Sequence, residues 1–156
     1  MDSWGAEPGV VRLPDGRLIR GTGIRRPRGQ APAPGFAVYL LGRDPHVTQW
    51  PNRWVRWRDF RLPDSAGDAV DALREAHTRA AVERVEIACG AGIGRTGTAI
   101  AVLAITSGVP ADTAIDWYGK GRSQWDRWMG HPGRRTRDIN LPRSGKRPAT
   151  RRAATG

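Results

Sequence analysis

The run Val85-Glu86-Ile87-Ala88-Cys89-Gly90-Ala91-Gly92-Ile93-Gly94-Arg95-Thr96-Gly97 passes from an apolar strand pattern into a glycine loop and then into the start of a helix. Glycines at 90, 92 and 94 allow successive backbone N–H groups to turn inward as an anion nest, with the N-terminus of the next helix on its far side. Arg95 follows the cysteine by six residues, so a loop folded back on itself brings its guanidinium to the same anion as a two-pronged donor. The same surroundings favour a thiolate, because cysteines at helix N-termini or beside cations fall from a pKa of ~8.5 into roughly the 3.5 to 7.5 range. Cys89 therefore reads as a nucleophile beside a phosphate site rather than as one more small core residue.

Upstream of this run, Val82 to Ala88 is predicted as a strand, and downstream Thr96 to Ser107 is apolar nearly all round, which predicts a buried helix. Ser65 three residues before Asp68 resembles a capping box, and Ala69, Val70, Leu73, Ala76 and Ala80 recur at helical spacing, so residues 67–80 should form an amphipathic helix. Asp64, beside Ser65, reads as a capping carboxylate. Phe36 to Leu41, short and bounded by glycines, predicts a buried strand; a further strand is expected over 53–57. Val10 to Arg20, interrupted by Pro14-Asp15-Gly16, predicts an N-terminal hairpin, and the proline-bearing stretch 25–35 a loop. Pro110 suits the first turn of another helix running from Ala111 to Trp117. Strands alternating with helices in this order predict an α/β domain with a partly parallel central sheet flanked by helices, and ligands of such sheets bind at the carboxyl ends of the strands, where Cys89 lies.

The chain has 156 residues, a formal charge of +11 and one cysteine. That length is expected to give one domain without a disulfide framework, and an unpaired thiol fits a reducing compartment such as cytoplasm. No basic start followed by an apolar stretch opens the chain, and no run approaches membrane-spanning length, so the expectation is a soluble, cytoplasmic protein. From residue 120 onward there are 11 Lys or Arg against 2 Asp, a net of +9, which leaves +2 for residues 1–119. The basicity is thus mostly a tail. Residues 130–156, poor in large apolar side chains, are expected to be disordered, leaving a domain over 1–129. Such a tail admits non-specific polyanion contact, although a solvated tail is the commoner outcome.

Cys89 to Gly97 resembles the phosphate loop of the cysteine-dependent protein-tyrosine and dual-specificity phosphatases, small bacterial type. Trp57-Arg58-Asp59-Phe60-Arg61-Leu62-Pro63 is similar to their Trp-Pro-Asp acid loop, at a suitable distance upstream. The resemblance spans about Trp50 to Trp117. It implies a protein-tyrosine-phosphatase-like fold and hydrolysis of phosphoprotein or small phosphate ester substrates, with Cys89 as nucleophile, Asp59 as general acid and Arg95 on the phosphate. The phosphate-binding set it implies is Gly90, Ala91, Gly92, Ile93, Gly94, Arg95 and Thr96, the Thr96 hydroxyl also donating to the departing thiolate. No metal or cofactor is implied, and His46, His77 and His131 show no ligand spacing. Two features depart from the family pattern: Ala88 stands where it commonly has histidine, and Arg58 where the acid loop has proline. A shortened last helix is expected around Trp125, Trp128 and Met129, with Gln124 at its start as a surface residue.

Other readings compete. Gly92-Ile-Gly94-Arg-Thr-Gly97 fits a dinucleotide-binding pattern but gives Cys89 no role. A rhodanese-like sulfurtransferase also uses a strand-end cysteine loop, usually one residue shorter, and leaves Trp57 to Pro63 without purpose. A phosphate-binding module that recognises phosphorylated partners without turnover is the non-enzymatic alternative.

Overall fold

The computed structural model describes residues 2–117. Their elements run β1 (Val10–Arg12), β2 (Leu18–Gly23), β3 (Phe36–Leu41), β4 (Asn52–Arg56), α1 (Ala66–Arg79), β5 (Val85–Cys89) and α2 (Gly94–Thr106). The strands form one sheet in the order β1-β2-β5-β3-β4. β1 pairs with β2 antiparallel, through the hairpin whose turn needs Gly16 at φ 89, and all other pairs are parallel. The partly parallel α/β sheet is as the sequence predicts. β5 lies at its centre, between β2 and β3, and is buried along its whole length, as a strand covered on both faces must be.

Alternation along β5 sorts its side chains. Val85, Ile87 and Cys89 join a core with Val38, Leu40, Leu73, Ala76, Ala99 and Leu103, so α1 and α2 cover one face together. Ala88 packs on the opposite face with Ala37, Tyr39 and Leu41, covered by Val47, Trp50 and Trp54. Glu86, only 1% exposed, also lies in this strand. It accepts from Arg20 at 2.7 Å and from Arg28 at 2.7 and 3.1 Å. Trp4 stacks on Arg20 and Trp50 on Arg28, with cation-to-ring distances of 5.6 and 4.8 Å. The loop after β2 is thereby tied down through Arg28 to the central strand.

Boundaries shift for local reasons. Val82 belongs to the turn leaving α1, donating its N–H to Arg79, so β5 begins later than predicted and includes Cys89. α2 begins at Gly94, earlier than its apolar pattern. Ser65 caps α1, accepting from the Asp68 N–H, whereas Asp64 does not cap: its carboxylate faces Arg56 and Arg58 at 3.3 and 3.6 Å. Residues 111–113 form a turn and helix begins at 114. Gln124, Trp125, Trp128, Met129 and the basic tail lie outside the described residues. Among the described residues no helix is long and apolar enough to cross a membrane.

Removing the shared carboxylate leaves two arginines facing each other in a largely buried place. Glu86→Ala should therefore cost about 3 to 5 kcal/mol, read as a lower denaturation midpoint in urea. A change below about 1 kcal/mol would mean that Arg20 and Arg28 find water or other acceptors instead.

Candidate active site

Cys89 is the last residue of β5, and its position is set by the neighbouring chain as much as by its own strand. β2 ends beside it, and the pairing continues past both strands. Ile24 N–H donates to the Cys89 carbonyl at 2.9 Å and Arg25 N–H to the Gly90 carbonyl at 3.2 Å. The Arg26 Nε donates to the Ala91 carbonyl at 3.0 Å. In a trans peptide the C=O of one residue and the N–H of the next point in opposite directions. Holding these three carbonyls toward residues 24–26 thus turns the N–H groups of Gly90, Ala91 and Gly92 to the other side. The Gly92 N–H accordingly donates to Cys89 Sγ at 3.2 Å.

Glycine is required where the two segments meet. A Cβ on Gly23 would stand 2.5 Å from the Ala91 carbonyl carbon, and one on Gly92, which has φ 76, would stand 2.5 Å from the Thr22 carbonyl carbon. Both contacts are with backbone, which cannot swing away. The loop then runs into α2, where Ile93 occupies the N-cap position without a side-chain hydrogen bond and no acidic residue lies in the first turn. The positive end of α2 thus has no carboxylate of its own helix beside it, and it faces the Cys89 sulfur.

Cys89 is 2% exposed. Burial pushes its pKa up, but the Thr96 hydroxyl and the N–H groups of Thr96, Gly92 and Ile93 all donate to it, and together they bring the thiol below its ordinary value. Thr96 is fully buried, and its hydroxyl also lies 3.4 Å from the Thr22 carbonyl.

Arg95 is 9% exposed and folded back over the loop. Its Nη1 donates to the Trp57 carbonyl at 2.9 Å, while its buried Nε has no hydrogen-bond partner among the described residues. The Trp57 contact joins the glycine loop to the segment after β4. There Trp57 is a buried anchor whose Nε1 donates to the Arg61 carbonyl at 2.6 Å. The segment is closed at its base by the Asp64 N–H donating to the Arg56 carbonyl. Asp59 lies at its turn, half-exposed, with Oδ1 3.7 Å from Arg95 Nε and accepting from the Phe60 N–H at 3.1 Å. Phe60 has φ 57 and is 100% exposed, a conformation that costs a non-glycine residue of order 1 kcal/mol or more. Cys89, Arg95 and Thr96, from one short run, and Asp59, from the segment after β4, thus come together at the carboxyl end of the sheet.

Protein-tyrosine phosphatase is the family whose model matches, over residues 38–120, more than half of the chain. The chain belongs to the protein-tyrosine phosphatase family. Family and fold together support a phosphatase, a hydrolase of phosphorylated substrates. Among solved structures the chain is similar to the crystal structure of Tk-PTP in the active form, with a TM-score of 0.57 and 23% identity. That match covers 74% of this chain and 85% of the other, and it is a likeness of fold. No protein among the curated sequences matches the chain.

Sequence reading overlooked Arg26, Ile24 and the Trp57 carbonyl. The only sign of the first two was their place directly after a strand ending in Gly21-Thr22-Gly23; main-chain acceptors leave no mark in a sequence. Arg58, at the position of the family's proline, faces Asp64 and packs against Gly42. Among the described residues no group of His, Cys, Asp and Glu is placed to hold a metal ion.

Thr96→Val keeps the shape of the side chain and removes the hydroxyl. Losing a donor to the charged form raises the Cys89 pKa, so the pH profile of alkylation by iodoacetamide should inflect at higher pH than in the wild type. An inflection that stays in place would mean that the backbone N–H groups alone stabilise the thiolate.

Proposed function

We propose that this phosphatase hydrolyses phosphate monoesters through a cysteinyl-phosphate intermediate, on phosphotyrosine or on phosphoserine and phosphothreonine of protein substrates. The observation that carries the reading is the pairing of a thiol held below its ordinary pKa with a buried arginine whose Nε is unsatisfied. Each is costly to maintain in a folded core, and a bound phosphoryl group gives both a purpose.

In this mechanism the Cys89 thiolate attacks phosphorus in line, and the S–P bond forms as the bond from phosphorus to the leaving oxygen breaks. The backbone N–H groups of Gly90, Ala91, Gly92, Ile93, Gly94 and Arg95 surround the equatorial oxygens, and the Arg95 guanidinium binds the same charge through Nε and Nη2, since Nη1 is held by Trp57. Asp59 gives its proton to the leaving oxygen. Its carboxylate then takes a proton from the water that attacks phosphorus, and the S–P bond breaks to release phosphate and the thiolate, which the Thr96 hydroxyl stabilises. The chemistry is assigned to a domain over 1–129, with 130–156 as a basic tail outside it. A reducing compartment such as cytoplasm is the setting in which an unpaired nucleophilic thiol persists.

Hydrolysis of an aryl phosphate in the presence of reductant and chelator tests the mechanism. Cys89→Ser should abolish turnover, and Asp59→Asn should lower kcat by roughly a hundred-fold or more on a poor leaving group. Tight phosphate binding by a wild type that shows no turnover would point to a phosphate-recognition module. Turnover that survives Cys89→Ser would exclude the covalent route.

A further inference from the structure

Arg25 has no part in the reaction above, yet its side chain stands at the edge of the same loop. It follows β2 directly, its main chain is fixed by the N–H donated to Gly90, and its side chain is exposed. A Cβ on Gly90 would lie 3.0 Å from Arg25 Nη2, 3.2 Å from its Cζ and 3.4 Å from Arg95 Nη2. Two guanidinium groups therefore converge on the bare flank of one glycine.

Like charges so placed repel unless an anion lies between or beside them. Among the described residues no carboxylate is within ion-pair distance of Arg25, and Arg95 has only Asp59, at 3.7 Å. The buried Arg95 Nε without a hydrogen bond adds a second sign that an acceptor is lacking. One phosphoryl group in the cradle satisfies Arg95 and the loop amides. Arg25 reaches the same flank of Gly90 from the segment after β2, and its exposed guanidinium is open to a further oxyanion beside the first.

We propose that Arg25 binds a second anionic group of the substrate, beside the phosphate that is hydrolysed. The substrate class is then a phosphate monoester bearing a further phosphoryl or carboxylate group at an adjoining position. This rests on the phosphate site proposed above.

The test uses the whole chain carrying Cys89→Ser, which cannot form the covalent intermediate, with orthophosphate and pyrophosphate as probes in calorimetric titrations. Pyrophosphate is expected to bind roughly ten-fold more tightly than orthophosphate, and Arg25→Ala to bring the two within about two-fold. An unchanged ratio overturns the inference. So does an equal loss for both probes, which would place Arg25 on the scissile phosphate itself. No orthophosphate binding by the Cys89→Ser chain would instead bring down the phosphate site, and the inference with it. The source of the second anion is read from kcat/KM on phosphotyrosine peptides with glutamate or alanine beside the phosphorylated residue. A glutamate preference lost in Arg25→Ala identifies a peptide carboxylate; loss of pyrophosphate selectivity without such a preference identifies a small molecule carrying two phosphoryl groups.

Discussion

The site depends on where three carbonyl groups point. Those of Cys89, Gly90 and Ala91 are held from behind by Ile24, Arg25 and Arg26, and planar trans peptides then turn the following N–H groups to the other side, that of Gly92 onto the sulfur. A loop of small residues has no side-chain packing to hold such a shape, so the neighbouring strand provides it. The parallel pairing of β2 with β5, which places Gly23 opposite Cys89, is therefore part of the chemistry as well as of the fold.

That arrangement also reconciles burial with charge. A thiolate shielded from water is unfavourable by itself, and burial alone would raise the Cys89 pKa. Fixed donors from one short stretch, Gly92 to Thr96, reverse the sign without any mobile counter-ion. Arg95 beside it has its Nη1 tied to Trp57, while its Nε has no hydrogen-bond partner among the described residues. The same Trp57 contact joins residues 57–63 to the glycine loop, so a movement of that segment bears on Arg95.

Much of this was legible in the sequence because the chemistry is written in residue types. β3 runs from Phe36 to Leu41 as its glycine borders and apolar content indicate, and Ser65 caps α1 as its spacing to Asp68 indicates. The end of β5 and the start of α2 were less so: the apolar pattern ends the strand at Ala88 and begins the helix at Thr96, whereas pairing with β2 extends the strand to Cys89 and the helix opens at Gly94. Asp64 was misread because a carboxylate before a helix has a local explanation, while its partners Arg56 and Arg58 become neighbours only when the segment folds back. Glu86 showed as a charge within an apolar strand, but nothing in the linear order indicated that Arg20 and Arg28 would meet on it.

The glycine seam between β2 and the loop has a consequence for how this protein can vary. Gly23 and Gly92 press main chain against main chain, so no side chain stands there for mutation to enlarge, trim or recharge. Diversification is thereby confined to the periphery, where Ile24, Phe60 and Leu62 project into solvent. A lineage built on this scaffold can change what it grips while the grip itself stays inherited.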